Sequence, residues 1–356
     1  QLLQVLGQVY VSMPDLPRVE GVITRLREIG TDEAIAAADR LNVSRLANVE
    51  GEQAALDYLE EQATAANADI GARLSLIRAQ LLTGQTAAAL QLAQEMVAAQ
   101  PDSRQARMAL GLAYTANNDL PNARETFEAL ITEEPEDLPP HLALIRLVSQ
   151  QGDMEEALTL TNQALAALPD NPDLLWSKAG LVERKGDIDA AIAIYEKLYA
   201  QDSSSVVIAN NLASLLATWK SADPQAVTRA SAVARRLKDT KVPALMDTYG
   251  WIQHLNGDSQ AALPYLEGAA EGLAEDPVVQ LHLGIVQAAV GKTEAAKTQL
   301  QKGFEMLPEG MDGPSIKTAR EALAGLEAPA APASTASPED GATQDEATAP
   351  ADQVNN

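Results

Sequence analysis

Cysteine is absent from the 356 residues of this chain. That absence excludes disulfide bonds, thiolate metal ligands and a cysteine nucleophile, and it leaves the redox compartment open. Basic residues are scarce as well, because 26 Lys and Arg stand against 50 Asp and Glu, a formal net charge of −24. Such a surface repels the phosphate backbone of nucleic acid and anionic lipid alike. We therefore expect no nucleic-acid partner.

Long hydrophobic runs and chemical motifs are also missing. No apolar run approaches the roughly 18 residues that a membrane-spanning helix needs, so the sequence predicts no transmembrane segment. The three histidines, His141, His254 and His282, have no partner at helical ligand spacing. A phosphate-binding glycine loop and a nucleophile elbow are absent too. We therefore expect no metal, no cofactor and no enzyme activity.

What the sequence does contain is a recurrence of small residues. An alanine returns every 34 residues from Ala55 to Ala191, and steps of 35 and 36 around Ala226 then add three residues before the step of 34 resumes. Self-similarity at such a fixed period is typical of repeat proteins. The repeated alanines are Ala55, Ala89, Ala123, Ala157, Ala191, Ala226, Ala262 and Ala296.

Two other residue types keep the same spacing. Glycine, or once asparagine, stands five residues before the repeated alanine, where a helix can end with φ > 0 and the chain can reverse. Proline stands twelve residues after it, where its ring and missing N–H stop a second helix. These marks predict pairs of helices joined by short turns. The turn residues are Gly84, Asn118, Gly152, Gly186, Gly257 and Gly291, and the prolines are Pro101, Pro135, Pro169 and Pro308.

The pattern resembles the tetratricopeptide repeat, most closely over residues 107–135. Arg107 stands there where the family has its first tryptophan. The resemblance implies an all-α, right-handed superhelical solenoid of antiparallel helix pairs, with a ligand-binding concave face. The residues that match the family signature are Leu110, Gly111, Tyr114, Ala123, Phe127 and Pro135.

The repeat register divides the chain into three parts. About nine helix pairs are expected over residues 1–310, the first truncated or degenerate because its helix pattern is already under way at Leu6 and Gly7. We therefore expect a processed product or a fragment of a longer protein. Residues 311–327 are predicted to form a capping helix over the last pair. Residues 328–356 carry five acidic and no basic residues, lack aromatic residues and are expected to be disordered.

Candidate ligand-binding residues follow from the positions that line the concave face in the resembled family. Arginine and asparagine can hydrogen-bond carboxylates and backbone, and tryptophan offers a broad apolar anchor. The carboxylate-binding arrangement of chaperone adaptors is not matched, since Arg40 is followed by Ser44. The candidates are Arg40, Asn48, Arg78, Arg146, Trp176, Arg184, Asn210, Asp247, Trp251 and His254.

The stretch from Asp247 to His254 combines acidic, aromatic and basic side chains. The register places it on a first helix, and no residue nearby in sequence orients a catalytic pair, so a binding role is favoured over catalysis. For Trp176 and Trp251 two interpretations stay open. Each tryptophan either faces the ligand groove or fills a gap between adjacent repeats.

The predicted function is that of a non-enzymatic scaffold that binds a peptide or protein segment in its concave face. Residues 210–303 resemble the terminal repeats of bacterial tetratricopeptide proteins of exosortase (PEP-CTERM) and exopolysaccharide systems. That resemblance implies a periplasmic or envelope location, with the cytoplasm as the alternative. The alternative function is a docking arm of a larger enzyme or secretion machine whose catalytic part lies elsewhere.

Overall fold

A computed structural model describes residues 2–65 and 68–328, and all regular structure within these ranges is helical. The all-α prediction is confirmed. The α-helices are α1 (Leu2–Ser12), α2 (Leu16–Ile29), α3 (Asp32–Val49), α4 (Glu52–Thr64), α5 (Ile70–Leu82), α6 (Thr86–Ala99), α7 (Arg104–Ala116), α8 (Leu120–Glu133), α9 (Leu138–Gln150), α10 (Met154–Ala167), α11 (Pro172–Arg184), α12 (Ile188–Gln201), α13 (Val206–Trp219), α14 (Pro224–Ala234), α15 (Pro243–Leu255), α16 (Ser259–Gly272), α17 (Pro277–Ala289), α18 (Thr293–Glu305) and α19 (Pro314–Glu327).

The helices form two compact units. Unit 1 ends at Leu215 and unit 2 begins at Leu216, so the division falls inside α13. In α1–α12 of unit 1 and in α15–α18 of unit 2, each odd-numbered helix packs against the even-numbered helix that follows it, as first and second members of a pair. In unit 2 the short α14 continues into a 3₁₀ turn, Arg235–Leu237, which lies in the repeat that carries three extra residues.

The recurrent residues have the packing roles that the sequence predicts. Six of the eight repeated alanines are completely buried, and Ala55 and Ala226 are nearly so. The close approach of paired helices explains the small residue on the first helix, since a Cβ at Gly111 would lie 2.5 Å from the Phe127 ring. Left-handed backbone occurs at each predicted turn residue, at φ between 59° and 88°. These turns are Gly84, Asn118, Gly152, Gly186, Gly257 and Gly291.

An aspartate caps the amino end of several second helices. The Asp119 carboxylate accepts a hydrogen bond from the backbone N–H of Asn122, and Asp153, Asp187 and Asp258 cap their helices in the same way. A capping carboxylate satisfies an otherwise free N–H and opposes the positive end of the helix dipole. The turn glycine or asparagine followed by aspartate therefore ends one helix and begins the next.

Unit 2 is built around α17. Nine consecutive residues of this helix, from Val279 to Gln287, are buried, whereas a helix at a surface buries only one stripe. Helix α19 packs against both α17 and α18. Residue 328 is the last one described, so the acidic tail expected at 328–356 lies almost entirely outside the described residues.

Candidate functional site

A cleft of about 620 Å³ opens between α9 and α11 in unit 1. The two helices are first members of successive pairs, and α11 begins at Pro172 with Asn171 as its cap. Both helices bury leucine and valine side chains, and the cleft is lined by more exposed residues together with the buried Ile145 and Leu181. The lining residues are Leu142, Ile145, Arg146, Ser149, Trp176, Ser177, Gly180, Leu181, Glu183 and Arg184.

Trp176 forms the apolar wall of the cleft. Its side chain is 40% exposed, and it meets the Tyr195 ring edge to face at a centroid distance of 5.7 Å. The Tyr195 hydroxyl in turn accepts a hydrogen bond of 3.1 Å from the Asn211 side-chain amide. One side of the indole thus packs against the buried Tyr195, while much of the rest is exposed.

Two arginines without ion-pair partners border this wall. Arg146 and Arg184 are exposed, and neither makes a salt bridge with any residue of the described part of the chain. Elsewhere in unit 1, Arg104, Arg107 and Arg124 are all paired with glutamates. Because 50 acidic residues compete for 26 basic ones, an arginine without an ion pair among the described residues is available to a carboxylate from outside the chain.

Glu183 is the acidic residue of the cleft. Desolvation raises the pKa of its carboxyl group above the ordinary value. The neutral form is therefore favoured more than it would be in water. The cleft thus combines two arginines, an aromatic wall and one carboxyl group, that of the exposed Glu183, whose pKa is raised.

The structure brings together three of the ten candidates, Arg146, Trp176 and Arg184. Arg40 and Asn48 on α3 and Arg78 on α5 are exposed but do not line this cleft. Asn210 on α13 is half-buried, and its side-chain amide donates a long hydrogen bond of 3.5 Å to the side-chain oxygen of Asn211.

Sequence reasoning missed seven residues that line the cleft. A signal for some of them was available, because Leu142, Arg146 and Ser149 recur at i, i+4 and i+7 and so share one helix face. The missed residues are Leu142, Ile145, Ser149, Ser177, Gly180, Leu181 and Glu183.

Trp251 in unit 2 has a different environment. It is only 5% exposed, and its indole stacks on the His282 ring with centroids 4.1 Å apart. The partial exposure expected of a groove residue is therefore wrong for Trp251, since the imidazole of the next first helix covers the indole. The alternative interpretation, that it fills a gap between adjacent repeats, describes what is seen.

Asp247, the first candidate on α15, belongs to a buried hydrogen-bond chain. Its carboxylate lies 3.0 Å from Nδ1 of His282, and Nε2 of His282 lies 2.9 Å from the Ser315 hydroxyl. Sequence reasoning found no orienting partner for Asp247 because His282 is 35 residues away. Ser–His–Asp hydrolases use the same order of atoms. Here, however, His282 and Ser315 are both buried. The hydrogen bonds therefore connect helices α15, α17 and α19 in the interior of unit 2.

His254, the last candidate, is half-buried at the end of α15. Its Nδ1 lies 2.9 Å from the Ser259 hydroxyl. Burial, assisted by the nearby His282, lowers the pKa of His254. Within residues 2–65 and 68–328, no three His, Cys, Asp or Glu side chains are arranged to hold a metal ion. In the same ranges, no helix combines the length and the apolar character required to cross a membrane.

Comparison with known proteins identifies the repeats. Two tetratricopeptide repeat family models match residues 74–137 and 114–179. No curated protein matches the sequence.

Solved structures show a similar fold. A chain of the Cut9–Hcn1 hetero-tetramer of the APC/C superposes with a TM-score of 0.52 and 15% identity, over 87% of this chain and 59% of that one. This chain thus spans less than two thirds of that relative. A thermophilic TPR protein of Thermus thermophilus has a TM-score of 0.41 and 26% sequence identity, over 51% of this chain and 98% of that one. The structure of pilF from Pseudomonas aeruginosa has a TM-score of 0.46 and 17% sequence identity, over 62% of this chain and 97% of that one.

The spacing of helix pairs, the family matches and the Cut9–Hcn1 superposition agree with one another. Repeats of this kind generally form non-catalytic scaffolds for protein–protein interaction, and the fold is consistent with that role. The chain therefore carries tetratricopeptide repeats, which the family models locate between residues 74 and 179.

Proposed function

We propose that this chain is a binding scaffold that holds a segment of another protein in the cleft between α9 and α11. The observation that carries the proposal is the presence of unpaired Arg146 and Arg184 beside the exposed Trp176. Arginine and tryptophan are the residue types most enriched at energetic centres of interfaces. In this cleft both are exposed and ready for a ligand.

The charge of the cleft favours a segment that contains a carboxylate. A guanidinium group binds a carboxylate through two parallel hydrogen bonds, and within residues 2–65 and 68–328 neither Arg146 nor Arg184 is bound to one. Trp176 favours a bulky apolar side chain next to that carboxylate, because the open part of the indole can bury it. We therefore expect an acidic residue close to a leucine or an aromatic residue in the ligand.

The size of the cleft favours a short segment. About 620 Å³ lies within the range of roughly 300–1,000 Å³ typical of ligand sites. Such a volume accommodates a few side chains of an extended peptide. The remainder of the ligand would lie outside the cleft, on neighbouring first helices.

Neighbouring repeats of unit 1 offer a continuation of this surface. Arg78, Leu112 and Arg146 occupy the same repeat position, 34 residues apart, and all three are exposed. An extended segment could therefore contact a cation, an apolar side chain and a second cation in turn. This order supports a ligand that crosses several repeats.

Selection from a random peptide library tests the proposal. The unmodified chain is the target, and the Arg146→Ala/Arg184→Ala double variant is used for counter-selection. We expect peptides enriched in Asp or Glu beside a bulky apolar residue, with affinity reduced at least tenfold in the double variant, because two charge-assisted contacts are lost. Arg25→Ala, which removes an exposed arginine of α2, serves as the matched control.

Two outcomes would contradict the proposal. One is a set of selected peptides with no preference for acidic residues, and the other is equal binding of the peptides to the double variant and to the parent. In either case the cleft arginines are not the recognition element.

We also propose an envelope location in a bacterium. The support is the resemblance of residues 210–303 to terminal repeats of exosortase and exopolysaccharide proteins. Cell fractionation with an antibody against this chain checks it, and recovery in the cytoplasmic fraction alone would rule it out.

A further inference from the structure

Helix α1 presents two apolar faces, and among the described residues only one of these faces is packed. Gly7 and Val11 are buried, and Leu3 and Tyr10 pack beside them against α2 and α3. The second face is open to solvent. Its members are Leu2 (75% exposed), Val5 (61%), Leu6 (36%), Val9 (45%) and, just after the helix, Met13 (62%).

This open face, hereafter the α1 outer face, follows helical spacing and carries no charge. Counted from residue 2, the others follow at three, four, seven and eleven positions, which places all five on one stripe of a helix. No residue of α1 is acidic or basic. In a chain with a net charge of −24, a charge-free apolar stripe is unusual for a surface that remains in water.

The repeat register shows what covers the corresponding positions in α7. Aligning Gly7 with Gly111 places Leu2, Val5 and Val9 at the positions of Ala106, Ala109 and Ala113 in α7. Those alanines are buried, and they share a hydrophobic cluster with residues of α6, the second helix of the preceding pair. The cluster members on α6 are Ala89, Ala93 and Met96.

We infer that the α1 outer face is a docking surface for an amphipathic α-helix of the second-helix type, from outside these 356 residues. Residue size adds a requirement. Because α1 carries Leu2, Val5 and Val9 where α7 carries alanines, the facing helix must present small residues, so that the two axes can approach as α6 and α7 do. The expected occupant is therefore a helix with an alanine-rich apolar stripe.

A stapled peptide with the α6 sequence, residues 85–100, is the probe. A hydrocarbon staple on its polar side keeps the peptide helical, and fluorescence anisotropy of an attached dye reports binding to the full chain. We expect saturable binding that weakens at least tenfold in Val5→Glu, because the substitution places a charge in the apolar stripe. Binding should fall similarly when glutamate replaces Ala89 and Ala93 in the peptide.

Val242→Glu is the matched control, since Val242 is an exposed valine of unit 2 at 54% exposure. It should bind the peptide as the parent does. Equal binding to the parent and to Val5→Glu, or no saturable binding of the stapled helix, would overturn the inference.

A second copy of this chain is the competing occupant of the α1 outer face, and sedimentation of the chain alone tests for it. The inference predicts a monomer at the concentrations used for peptide binding. A dimer that Val5→Glu dissociates would show instead that a second copy of this chain covers the α1 outer face. That result would overturn the inference. This surface is separate from the cleft between α9 and α11, so its failure leaves the proposed function untouched.

Discussion

The indole of Trp251 and the imidazole of His282 lie almost parallel, at an angle of 12° and a centroid distance of 4.1 Å. The two residues belong to successive first helices, α15 and α17. Their contact therefore joins neighbouring repeats, and of the two interpretations that the sequence allows for Trp251 it supports the one in which the indole fills a gap between repeats.

Replacement of Trp251 by alanine should be severely destabilising. Removal of a buried tryptophan leaves a cavity and typically costs about 3–5 kcal/mol of unfolding free energy. Trp176→Ala is the matched control, because Trp176 is 40% exposed, and it should change stability by about 1 kcal/mol or less. Urea denaturation compares the variants, and similar losses at the two tryptophans would contradict the different environments described here.

Ser315→Ala should loosen the attachment of α19. Nδ1 of His282 lies against the Asp247 carboxylate and Nε2 against the Ser315 hydroxyl, so the substitution leaves a buried ring nitrogen without its hydrogen-bond partner. Such a loss costs about 1–3 kcal/mol. Hydrogen exchange should become faster in α19, whereas Thr318→Ala, an exposed position of the same helix, should leave the exchange rates unchanged.

Leucine substitutions at two adjacent alanines of α6 distinguish the effect of core packing on stability from the effect of helix propensity. Ala89 is completely buried and Ala88 is exposed. Ala89→Leu should overpack the helix contact and cost about 1–3 kcal/mol. Ala88→Leu should be close to neutral, because leucine is nearly as good a helix former as alanine. If thermal unfolding shows the two variants to be equally stable, the repeat register is wrong at this pair.

Glu183 should make stability depend on pH. Desolvation raises its pKa in the folded state, so the parent gains stability from this group below its unfolded pKa of about 4.3 and loses it as pH rises through the higher folded value. Glu183→Gln should therefore be more stable than the parent at pH 7, and the difference should shrink towards pH 4. Glu125→Gln, at an exposed position, is the control. A difference that grows on acidification would reverse the assigned direction of the shift.

Much of the fold could be predicted because its determinants are local and recur. Gly84 and Gly291 take positive φ and Ala157 is completely buried, and each role depends on a residue's own position within a repeat. The periodicity therefore indicated helix pairs and their turns before any contact was known.

The candidate sites were less predictable because they depend on the contacts between repeats. Trp176 and Trp251 are both tryptophans on first helices, and only the neighbouring repeat decides whether each is covered. For Trp251 the next first helix supplies His282. For Trp176 the contact comes from Tyr195 on its own second helix, and much of the indole stays open. No property of the tryptophans themselves distinguishes these outcomes.

The unpaired arginines of the cleft have a consequence for how binding responds to ionic strength. An acidic ligand that approaches a chain of charge −24 is repelled at long range and attracted only near Arg146 and Arg184. At physiological ionic strength charges are screened beyond about 8 Å, which weakens the repulsion from distant carboxylates more than the short contacts inside the cleft. Association should therefore accelerate as salt is first added to a dilute buffer, and decline only when the ionic strength is high enough to screen the contacts with the two guanidinium groups themselves.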